Sequence, residues 1–167
     1  MNPPPNRLLP IVFGTLVMTF ISVFPVLNFI NLFCCAGIML GGLAGVFFYN
    51  KQIQNTQIEL TTKDGGIIGL LCGIVSAILV SGINLLLTLF SDVNPINEAY
   101  DLINKLGQEV PPEVTETIDK FSDEFNQYGF SPTLSILSLV MNLIIYPLFG
   151  AIGAMIGVSI IKKRQKS

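Results

Sequence analysis

The sequence has no histidine and no tryptophan, and only 12% of its residues are charged. The first absence removes the commonest acid–base group at neutral pH and the commonest metal ligand. Cysteine is scarce as well: Cys34 and Cys35 are adjacent, Cys72 stands far from them, and no Cys-x-x-Cys pair exists. No metal and no cofactor are therefore expected. No serine has a plausible base to activate it, so an enzyme is not expected either. Lys and Arg nowhere cluster with aromatic residues, which argues against a nucleic-acid partner. The acidic residues form no Asp-x-Asp-x-Asp-Gly loop, which argues against calcium.

Long stretches lack charge of either sign. Between Arg7 and Lys51 lie 43 residues without Asp, Glu, Lys or Arg, and between Asp64 and Asp92 another 27. A soluble core helix needs one polar face, so runs of this length point to hydrocarbon as the solvent. What the chain does contain agrees: 51% of its residues are hydrophobic and the mean hydropathy is +0.66. The apolar runs hold no ionisable group, which removes the usual machinery of ion-coupled transport. The apolar start at Leu8 closes on no small-x-small cleavage site, and bulky Leu32 and Phe33 before Cys34 do not suit lipoprotein processing. A retained first span is expected.

At 1.5 Å per residue the first uncharged run would be about 64 Å long, twice the ~30 Å hydrocarbon thickness. It must fold back once, and Pro25 with Asn28 and Asn31 marks the reversal. The chain reads as all-α, a single membrane domain over 1–167 with four transmembrane helices at about 8–24, 32–49, 66–90 and 133–161. Asn50-Lys51-Gln52 should end span two, and Thr62 or Asp64 should N-cap span three. Pro147 should kink span four by crowding the Leu143 carbonyl.

Orientation follows from the short basic segments. Arg7, then Lys51 and Lys63, then Lys162, Lys163, Arg164 and Lys166 place both termini in the cytoplasm of a multi-pass cell-membrane protein. The 91–131 insert holds nine of the eleven acids and belongs outside. Within it, Asn94-Pro95 and Gly107 bound a helix over 95–106, and Pro111-Pro112 and Gly129 bound a second. The second aligns Val114, Ile118, Phe121, Phe125 and Tyr128 on one side, with Glu113, Glu116, Asp119, Asp123 and Glu124 around the rest. Such a two-helix insert serves either as a lid on the outer ends of the spans or as a docking face for a basic partner.

Glycines recur at three- and four-residue steps, the spacing that lets helix backbones approach in lipid. Span two has Gly37, Gly41, Gly42 and Gly45, span three opens with Gly66, Gly69 and Gly73, and span four closes with Gly150, Gly153 and Gly157. Under the expected topology the clusters share the inner leaflet and hold the bundle together there. Asn84 and Asn142 are the most polar side chains of the spans. They read as an interhelical hydrogen bond or as the lining of a solute path. Cys34 and Cys35 read as small residues at helix contacts or as a reactive thiol pair.

Asn31-Leu32-Phe33-Cys34-Cys35 and the run Asp64-Gly65-Gly66-Ile67-Ile68-Gly69 through Gly73 resemble the span openings of a group of small bacterial four-span membrane proteins without an assigned activity. The resemblance covers spans two and three and implies a bacterial inner membrane. The expected role is a non-catalytic assembly or accessory component whose partners are the lipid bilayer and either further copies of itself or another membrane protein. The alternative is a small oligomeric channel or facilitator for an uncharged or passively moving solute.

Overall fold

The computed structural model of the chain describes residues 6–28, 31, 35–54, 56, 58–90, 96 and 112–165. Among these it is all-helical, with no strand. The helices are α1 (Leu8–Val23), the single turn α2 (Pro25–Asn28), α3 (Ala36–Ile53), α4 (Thr62–Leu89), α5 (Pro112–Tyr128) and α6 (Pro132–Gln165). α4 and α6 are long and apolar enough to cross a membrane; α1 is apolar but has 16 residues.

Local chemistry sets the boundaries. Phe24 is extended, with ψ 118°, because the ring of Pro25 disfavours the helical conformation of the residue before it. α3 starts at Ala36 rather than near Leu32, after Cys35 in the left-handed conformation (φ 58°). It also runs past Asn50-Lys51-Gln52 to Ile53, since nothing in that polar tripeptide breaks a helix. The cap of α4 is neither Thr62 nor Asp64 but Thr61. Its hydroxyl accepts the Asp64 amide at 3.1 Å, and the Asp64 carboxylate accepts the Thr61 amide at 3.2 Å. This reciprocal pair is a capping box with Asp64 at its third position. α6 opens with Ser131, whose hydroxyl accepts the Leu134 amide at 3.2 Å, followed by Pro132 in the first helical position. The helix continues through Pro147.

The chain forms two compact units. One holds residues 1–80 and 141–167, the other residues 81–140, so α4 and α6 each contribute to both.

In the first unit α1, α3, the first part of α4 and the last part of α6 pack together. α1 and α3, and α4 and α6, run antiparallel: Gly14 of α1 lies against Gly41 and Gly45 of α3, and along α4 Gly65 meets Val158 while Gly73 meets Tyr146 and Pro147 of α6. α1 and α4 run parallel, with Ile11 and Thr15 opposite Cys72 and Ser76. Met18, Val46, Tyr49, Ile68, Cys72 and Val158 are almost fully buried between them.

In the second unit α5 spans the expected length, and Gly129 (φ 77°) stops it, its amide bonded to the Phe125 carbonyl at 2.8 Å. Of the helix expected over 95–106 only Ile96 lies within the described residues, and it is buried.

Candidate functional site

The most specific geometry in the first unit is a set of backbone contacts made at glycine. A methyl group added at Gly69 would overlap the Gly150 carbonyl oxygen, and one at Gly42 would overlap the same oxygen from α3. One added at Gly150 would sit 2.6 Å from the Gly69 oxygen and 2.9 Å from the Met18 methyl. Three helices therefore converge on Gly150, with the end of the α1 side chain Met18 touching the same spot.

The other glycines named from the sequence sort by neighbour. Gly37, Gly41 and Gly45 face α1, at Ile21, Met18 and the Pro10 carbonyl respectively. Gly73 faces the backbone of Tyr146 and Pro147, so α4 approaches α6 where Pro147 carries no amide hydrogen. Gly153 faces the Met39 backbone and Gly157 faces Leu43. Gly66 has nothing within 4 Å. Its place is taken by Gly65, where an added methyl would come within 2.5 Å of Val158. The stripe on α4 is thus Gly65, Gly69, Gly73 at steps of four, each about 40° from the last around the helix, with Gly66 about 100° from Gly65. Gly14, a lone glycine in α1 that no spacing marks out, faces Cys72 and the Gly41 carbonyl.

Short polar side chains complete the interface. Thr15 donates its hydroxyl to the Cys72 carbonyl at 3.4 Å, and Ser76 donates to the Thr15 carbonyl at 3.3 Å. The Cys72 thiol donates to the Ile11 carbonyl at 3.4 Å. Tyr146 of α6 is also buried. At one end of the unit Arg7 makes an ion pair of 2.7 Å with Asp64, the sole ion pair among the described residues.

The remaining sequence candidates lie elsewhere on the helices. Asn84 is exposed on the 81–140 part of α4, and Asn142 is half-buried on the part of α6 that belongs to the other unit. Cys34 lies outside the described residues, and Cys35 is half-buried at the start of α3. Among the described residues no group of three or more acidic or cysteine side chains gathers as a metal site.

In the second unit the sequence reading missed one residue. Glu124 of α5 accepts the Ser131 hydroxyl at 2.6 Å, the Thr133 amide at 3.0 Å and the Thr133 hydroxyl at 2.5 Å. It fastens the end of one helix to the start of the next. These hydrogen bonds, that from Ser131 foremost, hold its carboxyl below the usual range. The signal was present in the Ser131-Pro132-Thr133 start, but a carboxylate seven residues upstream cannot be told from its acidic neighbours by pattern. Glu116, Asp119 and Asp123 remain exposed on α5.

No family model, no curated protein and no solved structure matches this chain.

Proposed function

We propose that this chain is a non-catalytic, four-span membrane protein that acts as an assembly or accessory component, with its termini in the cytoplasm and its acidic insert outside. The observation that carries the membrane reading is a largely apolar exterior around helices whose backbones approach closely. Leu16, Phe20, Leu70, Ile78, Ile144 and Leu148 are exposed, while glycines, Thr15 and Ser76 share the interior between the same helices with the apolar core residues. Water would penalise such an exterior, whereas hydrocarbon leaves it free and rewards close backbone approach. Only 39% of the most apolar stretch of α4, and 39% of that of α6, is buried, too little for the core helix of a soluble domain.

The four-span arrangement draws support from the alternating helix directions and from the charges. Arg7 meets the start of α4 at Asp64, and the basic end of α6 lies beside the basic end of α3. All four ends carry Lys or Arg, as cytoplasmic segments do. α1, with 16 residues and about 24 Å of helix, falls a few ångströms short of the hydrocarbon thickness, a mismatch that costs fractions of a kcal/mol per ångström.

Most of the helix glycines are occupied by contacts within the chain, and Glu116, Asp119 and Asp123 of the insert offer an exposed acidic face suited to a basic partner. The test has two parts. Single-cysteine probes at Gln54, Gln165 and Asp123, in a chain whose own cysteines are replaced by Ala, are labelled with an impermeant maleimide on intact cells. Labelling of Asp123→Cys alone is expected, and labelling of Gln54→Cys or Gln165→Cys from outside would sink the topology. Native mass spectrometry of the protein extracted with its lipid should then show a complex that the Glu116→Lys/Asp119→Lys/Asp123→Lys variant loses. A closed homo-oligomer indifferent to those charges would return the protein to the channel reading.

A further inference from the structure

We infer that the inner end of the bundle holds one anionic phospholipid in a groove between α3 and α6; this rests on the membrane-spanning reading above. The groove, of about 630 Å³, changes character along its length. At one end its walls are Phe13, Ala44, Phe47 and Phe48, with the Phe13 and Phe48 rings stacked 5.1 Å apart. At the other they are Asn50, Lys51, Gln54 and, from α6, Arg164 and Gln165. From residue 44 to residue 54 a helix advances about 15 Å, half of the ~30 Å hydrocarbon thickness, so the groove matches the depth of a single leaflet.

The polar end calls for an anion. Lys51 and Arg164 share one mouth, and neither makes an ion pair with a protein carboxylate among the described residues. Asn50 lines the same mouth. Two cations at one mouth with no carboxylate between them are donors that a phosphodiester can neutralise. A free phosphate would satisfy that end but leave the aromatic end open. A phospholipid fills both, its headgroup on Lys51, Arg164 and Asn50 and an acyl chain along Phe47 and the Phe13–Phe48 pair. Juxtamembrane cations attract anionic headgroups in the same way, but here the groove adds a seat for the chain.

The full-length protein in neutral detergent is titrated with dioleoyl phosphatidylglycerol, dioleoyl phosphatidylcholine and inorganic phosphate, and native mass spectrometry counts adducts while a thermal melt reads stabilisation. A single phosphatidylglycerol adduct is expected to outlast the others, with a rise in Tm that neither phosphatidylcholine nor phosphate gives. Lys51→Gln/Arg164→Gln should bind it on the order of tenfold more weakly. Lys63→Gln/Lys162→Gln, which removes the same charge from the same end outside the groove, should bind as the native chain does. Ala44→Phe, which fills the apolar end, should also weaken it. Equal binding of phosphatidylcholine, stabilisation by phosphate alone, or equal losses in the two charge variants would overturn the site. The cysteine probes separate the two readings: with Gln54→Cys and Gln165→Cys protected, such a result removes the lipid site alone, whereas their exposure removes the spanning reading and the site with it.

Discussion

Gly69 of α4 and Gly150 of α6 meet backbone against backbone, so that a methyl group on either would overlap the other's carbonyl oxygen. A flexible side chain could move aside, but a helical carbonyl cannot without shifting its helix. Gly69→Ala is therefore expected to destabilise the bundle by about 1–3 kcal/mol, the usual cost of overpacking. Gly66→Ala, three residues earlier in open space, should be neutral or gain up to about 1 kcal/mol from helix propensity. Thermal melts of the two variants in the same detergent check this. Equal shifts would mean that the contact does not form.

Much of this was legible in the sequence and some was not. Runs without charge mark α1, α4 and α6, while Gly129 stops α5 and Pro132 opens α6 as glycine and proline ordinarily do. The start of α3 was misplaced because its break falls at Cys35, in a left-handed conformation that glycine or asparagine would have advertised. Glycine spacing shows that helices can approach, but not which neighbour each face meets. Gly37, Gly41 and Gly45 look toward α1, while Gly42, one residue on from Gly41, looks toward α6. Choosing Gly66 over Gly65 failed for the same reason, since adjacent residues differ by about 100° and only the partner helix decides between them.

Asp64 does two jobs, closing the capping box with Thr61 and holding Arg7. Asp64→Ala removes both and should cost about 1 kcal/mol, mostly from the cap. Arg7→Gln removes only the ion pair, whose arginine is 43% exposed, and should cost well under that. A double-mutant cycle read by thermal denaturation separates the contributions. A coupling energy larger than the single loss from Asp64→Ala would show that the ion pair, not the cap, dominates.

Gly129 has open space around it, so its requirement is conformational rather than steric. At φ 77° an L side chain is strained, and Gly129→Ala should cost about 1–2 kcal/mol at the α5–α6 turn. Gly82 also has open space but lies in regular helix, and Gly82→Ala should be neutral or stabilising. Amide hydrogen exchange of α5 distinguishes them: faster exchange near residues 125–129 is expected in the first variant only.

Glu124 should make that turn sensitive to acid. Its carboxylate accepts from Ser131 and twice from Thr133, and its folded-state pKa lies below the usual value of 4.5. A depressed pKa means that the ionised form is favoured by folding, so the stabilisation is complete above the unfolded value. It begins to fade as the pH drops below about 4.5 and is gone once the pH has passed below the folded value. Protonation would turn one acceptor oxygen into a donor facing groups that already donate. The exchange rate of the Thr133 amide, corrected for its intrinsic pH dependence, should rise through that window in the native chain. Glu124→Gln keeps one acceptor oxygen and should exchange at a rate independent of pH there, while Glu124→Ala should exchange fast throughout. If Glu124→Gln kept the acid sensitivity, the titrating group would be one of the neighbouring carboxylates, and the clamp between α5 and α6 would not depend on the charge of Glu124.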